Sequence, residues 1–136
     1  MNCLDLRTGQ LIWQRNFVKE NDAKPMDWGN AGSPLLLGEM VIINAGGKKN
    51  RSLVAYHAET GDFLWGGGTH RARYSSPSLH SIAGIDQILI FNAGAVNSHD
   101  PANGHVLWSM PWKGQTECVA QPLPLSETRV FVSSGY

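Results

Sequence analysis

The sequence is poor in charge. Only 16% of its 136 residues are charged, and 11 basic side chains balance 11 acidic ones. Such a chain has no overall field for nucleic acid or an anionic membrane. Long apolar runs are missing as well: none approaches the roughly 20 residues that a bilayer-spanning helix needs. The opening residues, MNCLDLRTGQ, lack the charged-then-apolar design of a signal peptide and look instead like the middle of a repeat. Cysteine is scarce. Cys3 and Cys118 stand in no CxxC or CxxCH pattern. They fit as two small core residues, and the sequence fixes neither a disulfide nor a redox compartment. No window repeats apolar residues at i, i+3, i+4 and i+7, which speaks against a helical solenoid.

What is plentiful is glycine, with 15 residues, alongside 7 prolines and 5 tryptophans. That mixture suits many short strands joined by tight turns, with large aromatic anchors. Hydrophobic residues make up 42% of the chain, so it is not a disordered composition. A domain near this size buries about 65–70% of the surface its unfolded chain exposes.

The sequence repeats. CLDLRTGQLIW (3–13), AYHAETGDFLW (55–65) and SHDPANGHVLW (98–108) align, and their tryptophans lie 52 and then 43 positions apart. A second marker, a proline before a short apolar run, recurs at Pro34, Pro77 and Pro122, spaced 43 and 45. Two independent markers with one period identify a structural repeat. Within it, residues 31–37, 75–81 and 119–125 are expected as first strands. Residues 39–45, 86–92 and 127–133 are expected as second strands, their apolar middles buried on both faces. Third strands are expected at 52–57 and 95–99, and fourth strands at 62–65 and 105–110. Four strands in about 44 residues is the size of one propeller blade.

The motif chemistry is that of a turn. Gly9, Gly61 and Gly104 supply a positive φ that closes the hairpin between third and fourth strands. Asp5 and Asp100 are placed to accept hydrogen bonds from the turn's own amides and hydroxyl. His57 replaces that carboxylate in the middle copy, so its turn is expected to be held differently. Trp13, Trp65 and Trp108 follow four residues after the glycine. Each ring is large enough to seal one blade against the next.

This pattern resembles the tryptophan-docking motif, AxDxxTGxxxW, of pyrroloquinoline-quinone (PQQ)-type propeller repeats, and the likeness covers essentially the whole chain. The departures are Cys3 and Ser98 at the small position, His57 at the aspartate position and Asn103 at the threonine position. The resemblance implies an all-β fold of four-stranded antiparallel blades, with Trp13, Trp65 and Trp108 packed between neighbours. It also implies a periplasmic or extracytoplasmic setting in an exported bacterial protein. Blades are expected at 28–66 and 73–112, with partial blades at 1–18 and 117–136. Propellers close with about 4–8 blades. The chain is therefore expected to be part of a larger ring, of about eight blades in this family, although the two halves could also pair into a third blade.

Candidate sites are few. Strand 2–3 loops and blade-to-blade connections emerge at one end of a meander. That places Lys48, Lys49 and Arg51 beside His70, Arg71 and Arg73 as a locally basic face for an anionic ligand or an acidic partner surface. The histidines show no metal-ligand spacing such as HExxH. Gly66-Gly67-Gly68 and Ala45-Gly46-Gly47 open no helix and are expected as flexible connections. Trp112 is expected at a blade end and Trp28 in a surface pocket. No catalytic constellation stands out.

Three functions fit the resemblance. One is a non-catalytic binding or scaffold propeller, as in the lipoprotein that assists outer-membrane barrel assembly. It needs no cofactor and takes a protein or other ligand. A second is a PQQ- and Ca²⁺-dependent alcohol or sugar dehydrogenase. Such enzymes use a catalytic Asp, carboxylate or amide Ca²⁺ ligands and often adjacent cysteines; this sequence has no Cys–Cys pair and no cluster of acidic residues to suggest a Ca²⁺ site. A third is a sensor propeller fused to a signalling domain.

Overall fold

The computed structural model describes residues 1–114 and 117–134. The chain is a succession of antiparallel sheets. β1 (Asn2–Leu4) and β2 (Leu11–Gln14) form a pair, followed by a one-turn helix α1 (Phe17–Glu20). β3 (Leu35–Leu37), β4 (Met40–Gly47), β5 (Arg51–His57) and β6 (Phe63–Gly67) form a four-stranded meander. β7 (Ser78–Ile82), β8 (Ile85–Asn92), β9 (Ala95–His99) and β10 (Val106–Pro111) form a second one. β11 (Leu123–Ser126) and β12 (Arg129–Phe131) close the order as another pair. These are propeller blades. The two full meanders are complete blades, and the flanking pairs are the outer half of one blade and the inner half of another. The last two residues of the partial blade expected at 117–136 lie outside the described residues.

Register explains the motif's small residue. Cys3 pairs across from Trp13, Ala55 from Trp65 and Ser98 from Trp108. Directly opposed side chains in an antiparallel ladder nearly touch, so a small partner leaves room for the indole. In each copy the register then slips by one residue just before the turn. The bulged residues, Ile12, Leu64 and Leu107, are exposed. Such a bulge re-aims the neighbouring side chain, here the tryptophan.

The core lies between sheets. Ile43, Ala45, Val54 and Tyr56 pack with Met1 and Phe17 on one face of the first full blade. Ile42, Leu53, Ala55 and Trp65 pack with Ile88 of the next blade on the other face. Phe91, Val96 and Cys118 form a third cluster with Trp108, Trp112 and Val132. Burial on both faces explains the unbroken apolar runs of β4 and β8.

Several expectations need correction. The first strands start only after their prolines, at Leu35, Ser78 and Leu123. Proline lacks the donor a ladder needs and restricts the residue before it. The preceding residues link blades instead. The Ser33 amide donates to Ser76 Oγ at 2.7 Å, and Gln121 Nε2 donates to the Ser76 carbonyl at 3.3 Å. The second strand of the last copy is short, Arg129–Phe131, and Phe131 is 53% exposed because β12 pairs only with β11.

The glycine runs are not flexible connections. Gly67 sits within β6, where a Cβ would overlap the Gly104 carbonyl, and a Cβ on Gly46 would overlap the Ala72 backbone. These glycines permit close backbone approach.

Candidate ligand and partner face

The three motif turns share one backbone design. In each, the amide of the aspartate-position residue and the glycine amide close the hairpin: Gly9, Gly61 and Gly104 donate to the carbonyls of Asp5, His57 and Asp100 at 2.8 Å. Their φ values are 71°, 73° and 76°. The side-chain anchors differ. Asp5 Oδ1 accepts from the amides of Arg7 and Thr8 and from Thr8 Oγ1, and the Thr8 hydroxyl is the main cause that lowers its pKa. Asp100 accepts from the Ala102 amide and Asn103 Nδ2. His57 Nδ1 accepts the Glu59 amide at 3.2 Å, while Thr60 Oγ1 turns to Asp62 at 2.8 Å.

Two of the tryptophans lie against the next blade's turn. A Cβ on Gly61 would come within 2.8 Å of the Trp13 ring, and one on Gly104 would overlap the Trp65 ring. Trp13 Nε1 donates to the Ala58 carbonyl at 2.9 Å. Trp108 is half-buried, donates to Gln87 Oε1 at 2.8 Å within its own blade, and has no following Gly turn among the described residues.

The basic loops do meet, since Gly46 at the base of the 48–50 loop touches Ala72 in the connection. Their charges are largely engaged elsewhere. Lys48 pairs with Asp22 at 2.9 Å and Arg73 with Glu117 at 3.9 Å. Arg51 donates to Asn21 Oδ1 at 3.1 Å, and its guanidinium lies 3.8 Å from the Phe63 ring centroid. Lys49, Arg51, His70 and Arg71 have no carboxylate partner among the described residues, and of these Arg51 is held by Asn21 and Phe63. The connection itself is held through its backbone: Ser52 Oγ donates to the His70 carbonyl at 2.6 Å and the Ala93 amide to the Arg71 carbonyl at 3.0 Å.

A cavity of about 490 Å³ lies beside that connection, lined among others by Thr69, His70, Asn97, Asn103 and His105. Asn97 is 2% exposed and its Oδ1 accepts no hydrogen bond. Behind it, His99 is fully buried. Its Nδ1 donates to the Gly104 carbonyl at 2.8 Å, which leaves Nε2 unpaired. Burial lowers the His99 pKa, opposed by the Gly104 hydrogen bond. The only hint in the sequence was the Gly66-Gly67-Gly68 run, which removes side chains from one wall.

Trp28 is exposed and stacks on Tyr74 with ring centroids 5.3 Å apart, while Trp112 meets Phe91 edge-on at 5.2 Å. Cys3 and Cys118 are not joined in a disulfide. Among the described residues no three His, Cys, Asp or Glu side chains cluster as metal ligands, and no helix is long and apolar enough to cross a membrane.

A family model described as outer membrane protein assembly factor BamB matches residues 1–136. No curated protein matches the chain. The chain belongs to that family of PQQ-like β-propeller repeat proteins. The carboxylates of Asp5 and Asp100 are committed to turns, and those of Asp22, Asp62 and Glu117 to basic partners.

Proposed function

We propose that this chain is a non-catalytic binding and scaffold platform of an exported, extracytoplasmic bacterial protein, with its blades forming a section of a closed ring. One observation carries the reading: the residues that define the motif are spent on architecture. Trp13 and Trp65 cover the following Gly turns, and the motif carboxylates bind their own turns. In this reading all three tryptophans brace blade against blade. The chemistry left for partners is the loop surface around Lys49, His70 and Arg71, which suits an acidic protein surface or a small anionic ligand. The family description, an assembly factor of the outer membrane, supports a protein-binding role in an extracytoplasmic setting.

Calorimetric titration of the protein with PQQ in the presence of Ca²⁺ tests the non-catalytic part of this reading. No saturable heat is expected. Binding at about micromolar affinity or tighter, which is about 8 kcal/mol, would overturn it in favour of a quinoprotein dehydrogenase.

A further inference from the structure

The two junctions of the first complete blade differ at two equivalent positions. Successive residues of a strand face opposite sides of the sheet. Val54 and Tyr56 flank Ala55 in β5 and face the preceding half-blade; Asn97 and His99 flank Ser98 in β9 and face the first complete blade. Val54 and Tyr56 pack with Ile43 and Phe17. The one polar side-chain atom among these, Tyr56 Oη, accepts from Asn21 at 2.8 Å and donates to Glu20 at 3.4 Å. Asn97 and His99 are just as deeply buried, at 2% and 0% exposed, yet Asn97 Oδ1 and His99 Nε2 have no partner. Buried polar atoms are nearly always hydrogen-bonded. A polar pair at positions that carry a satisfied, well-packed pair one junction earlier therefore calls for a ligand.

The wall opposite these residues is stripped of side chains. Arg15 fills the preceding junction and donates to the Gly61 carbonyl, whereas the equivalent residue here is Gly67, flanked by Gly66 and Gly68. The space left is the cavity of about 490 Å³, within the range of about 300–1,000 Å³ usual for small-molecule sites. Asn97 lines it. His99 Nε2 stands at its Gly68 wall, 3.5 Å from where a Cβ on Gly68 would sit. Thr69, His70, His105 and Ser109 bring hydroxyl and imidazole groups to the remaining walls. Among the described residues no carboxylate, lysine or arginine lines the cavity.

From this juxtaposition we infer that the junction between the two complete blades binds a neutral sugar, one pyranose ring entering the cavity with its hydroxyls on Asn97 and His99. The two buried atoms set the chemistry. His99 Nδ1 donates to the Gly104 carbonyl, so Nε2 holds a lone pair and only accepts. Asn97 Oδ1 accepts as well. The inner edge of the ligand must therefore donate. A cation would do so with no carboxylate to neutralise it. An anion would meet two lone pairs. A hydroxyl donates to either atom and also accepts from the hydroxyls and imidazoles on the walls. A ring of adjacent hydroxyls meets the floor and the walls at once. The site lies between two blades that are both whole in this chain, and it does not rest on the platform reading.

Amide spectra of the isotope-labelled protein, titrated with D-glucose, D-galactose and D-mannose, are the test. At least one of these sugars should shift the backbone amides of Gly66, Gly67 and Gly68 and the side-chain amide of Asn97. The shifts should saturate with a dissociation constant on the order of a few millimolar, ordinary for a ligand of about a dozen heavy atoms. Asn97→Val gives this junction the residue that the preceding one has at the same position. It should weaken binding at least ~10-fold and leave Tm unchanged or higher, because a buried acceptor without a partner is gone. Ser109→Ala, at an exposed position opposite Asn97 on β10, leaves the core untouched and should weaken binding about 3-fold. Lys49→Glu with Arg71→Glu, which reverses the charge of the platform's loop surface, should leave sugar affinity unchanged. No response to any of the three sugars up to about 100 mM would mean that water alone satisfies Asn97 and His99, and would overturn the inference. So would unchanged affinity in both Asn97→Val and Ser109→Ala, displacement of the sugar by inorganic phosphate, or loss of binding on charge reversal.

Discussion

The first complete blade meets its two neighbours in different ways, though the same motif faces each of them. At the junction with the preceding half-blade, long side chains make the connection. Trp13 Nε1 donates to the Ala58 carbonyl, and Arg15 Nε donates to the Gly61 carbonyl at 2.7 Å while its Nη2 pairs with Asp62 at 3.3 Å. Asn21 donates to Tyr56 Oη at 2.8 Å and accepts from Arg51. At the junction with the following blade, side chains are removed instead. Gly67, at the position of Arg15, lets β6 press on the Gly104 backbone. That junction also has a polar chain, Asn92 to Ser52 Oγ to the His70 carbonyl. Yet it leaves Trp65 Nε1, Asn92 Oδ1, Asn97 Oδ1 and His99 Nε2 unpaired. One repeat can therefore seal a ring either by hydrogen bonding or by close approach, and the second way leaves unpaired polar atoms near a cavity.

The sharpest way to break this contrast is Gly67→Ala. Its Cβ would overlap backbone rather than a movable side chain, so the blades must part. A loss of about 3 kcal/mol or more is expected, at the severe end for a single substitution. Gly9→Ala is the reference. Its φ of 71° makes alanine strained, but open space surrounds it, and about 1–2 kcal/mol is expected. Denaturant melts of both variants measure the difference.

The second effect is a pH dependence centred on the close-approach junction, to which the partly buried His80 adds in the same direction. In the unfolded chain His99 takes its proton near the ordinary value of 6.5, whereas burial keeps it neutral to lower pH in the fold. Between those two values the unfolded state binds more protons, so stability falls as pH drops below about 6.5. The slope reaches at most about 1.4 kcal/mol per pH unit and vanishes once the folded ring is also protonated. His99→Asn keeps a donor for the Gly104 carbonyl and should reduce this slope in melts between about pH 7 and 5, leaving the smaller contribution of His80.

The period, the hairpin turns and the tryptophan positions were legible because each leaves a local mark: a glycine that must have positive φ, an indole at fixed spacing, a proline at a strand start. The state of the basic face was not. Lys48 finds Asp22 and Arg73 finds Glu117 only after the chain has folded, and no spacing rule encodes such pairs. Gly66-Gly67-Gly68 shows a different limit. Flexibility and close approach are written with the same residue, and only the partner, here Gly104, tells them apart. The exposure of Phe131 was hidden for a related reason. A strand's apolar pattern says which face is suited to burial, not whether a third strand covers it.

A third comparison isolates the indole nitrogens. Trp13→Phe and Trp65→Phe remove similar ring volume, but only Trp13 loses a hydrogen bond and leaves a carbonyl, that of Ala58, without it. Trp65→Phe removes a buried donor that has no acceptor. Once the ring-volume loss common to both is set aside, Trp13→Phe should be costlier by about 1 kcal/mol. An equal cost, or a greater one for Trp65→Phe, would mean that Trp65 Nε1 is satisfied in solution.

The smallest effect tests whether the middle turn is a weaker copy of its neighbours. All three turns have the same pair of backbone hydrogen bonds, so their frames are equivalent. What differs is that Asp5 gathers three donors on one carboxylate oxygen, whereas His57 offers one nitrogen to one amide at 3.2 Å. His57→Asp restores the motif residue on an unchanged frame. Thr60 Oγ1, now donating to Asp62, can swing to the new carboxylate as Thr8 Oγ1 does to Asp5. The turn is exposed and Asp62 lies close by, so repulsion between the two carboxylates offsets part of the gain. A net stabilisation of about 0.5 kcal/mol is expected, within the range of an exposed side chain capping backbone amides. It should grow as salt screens the carboxylate pair. A variant that stays neutral at all ionic strengths would show that the histidine already holds this turn as well as an aspartate can.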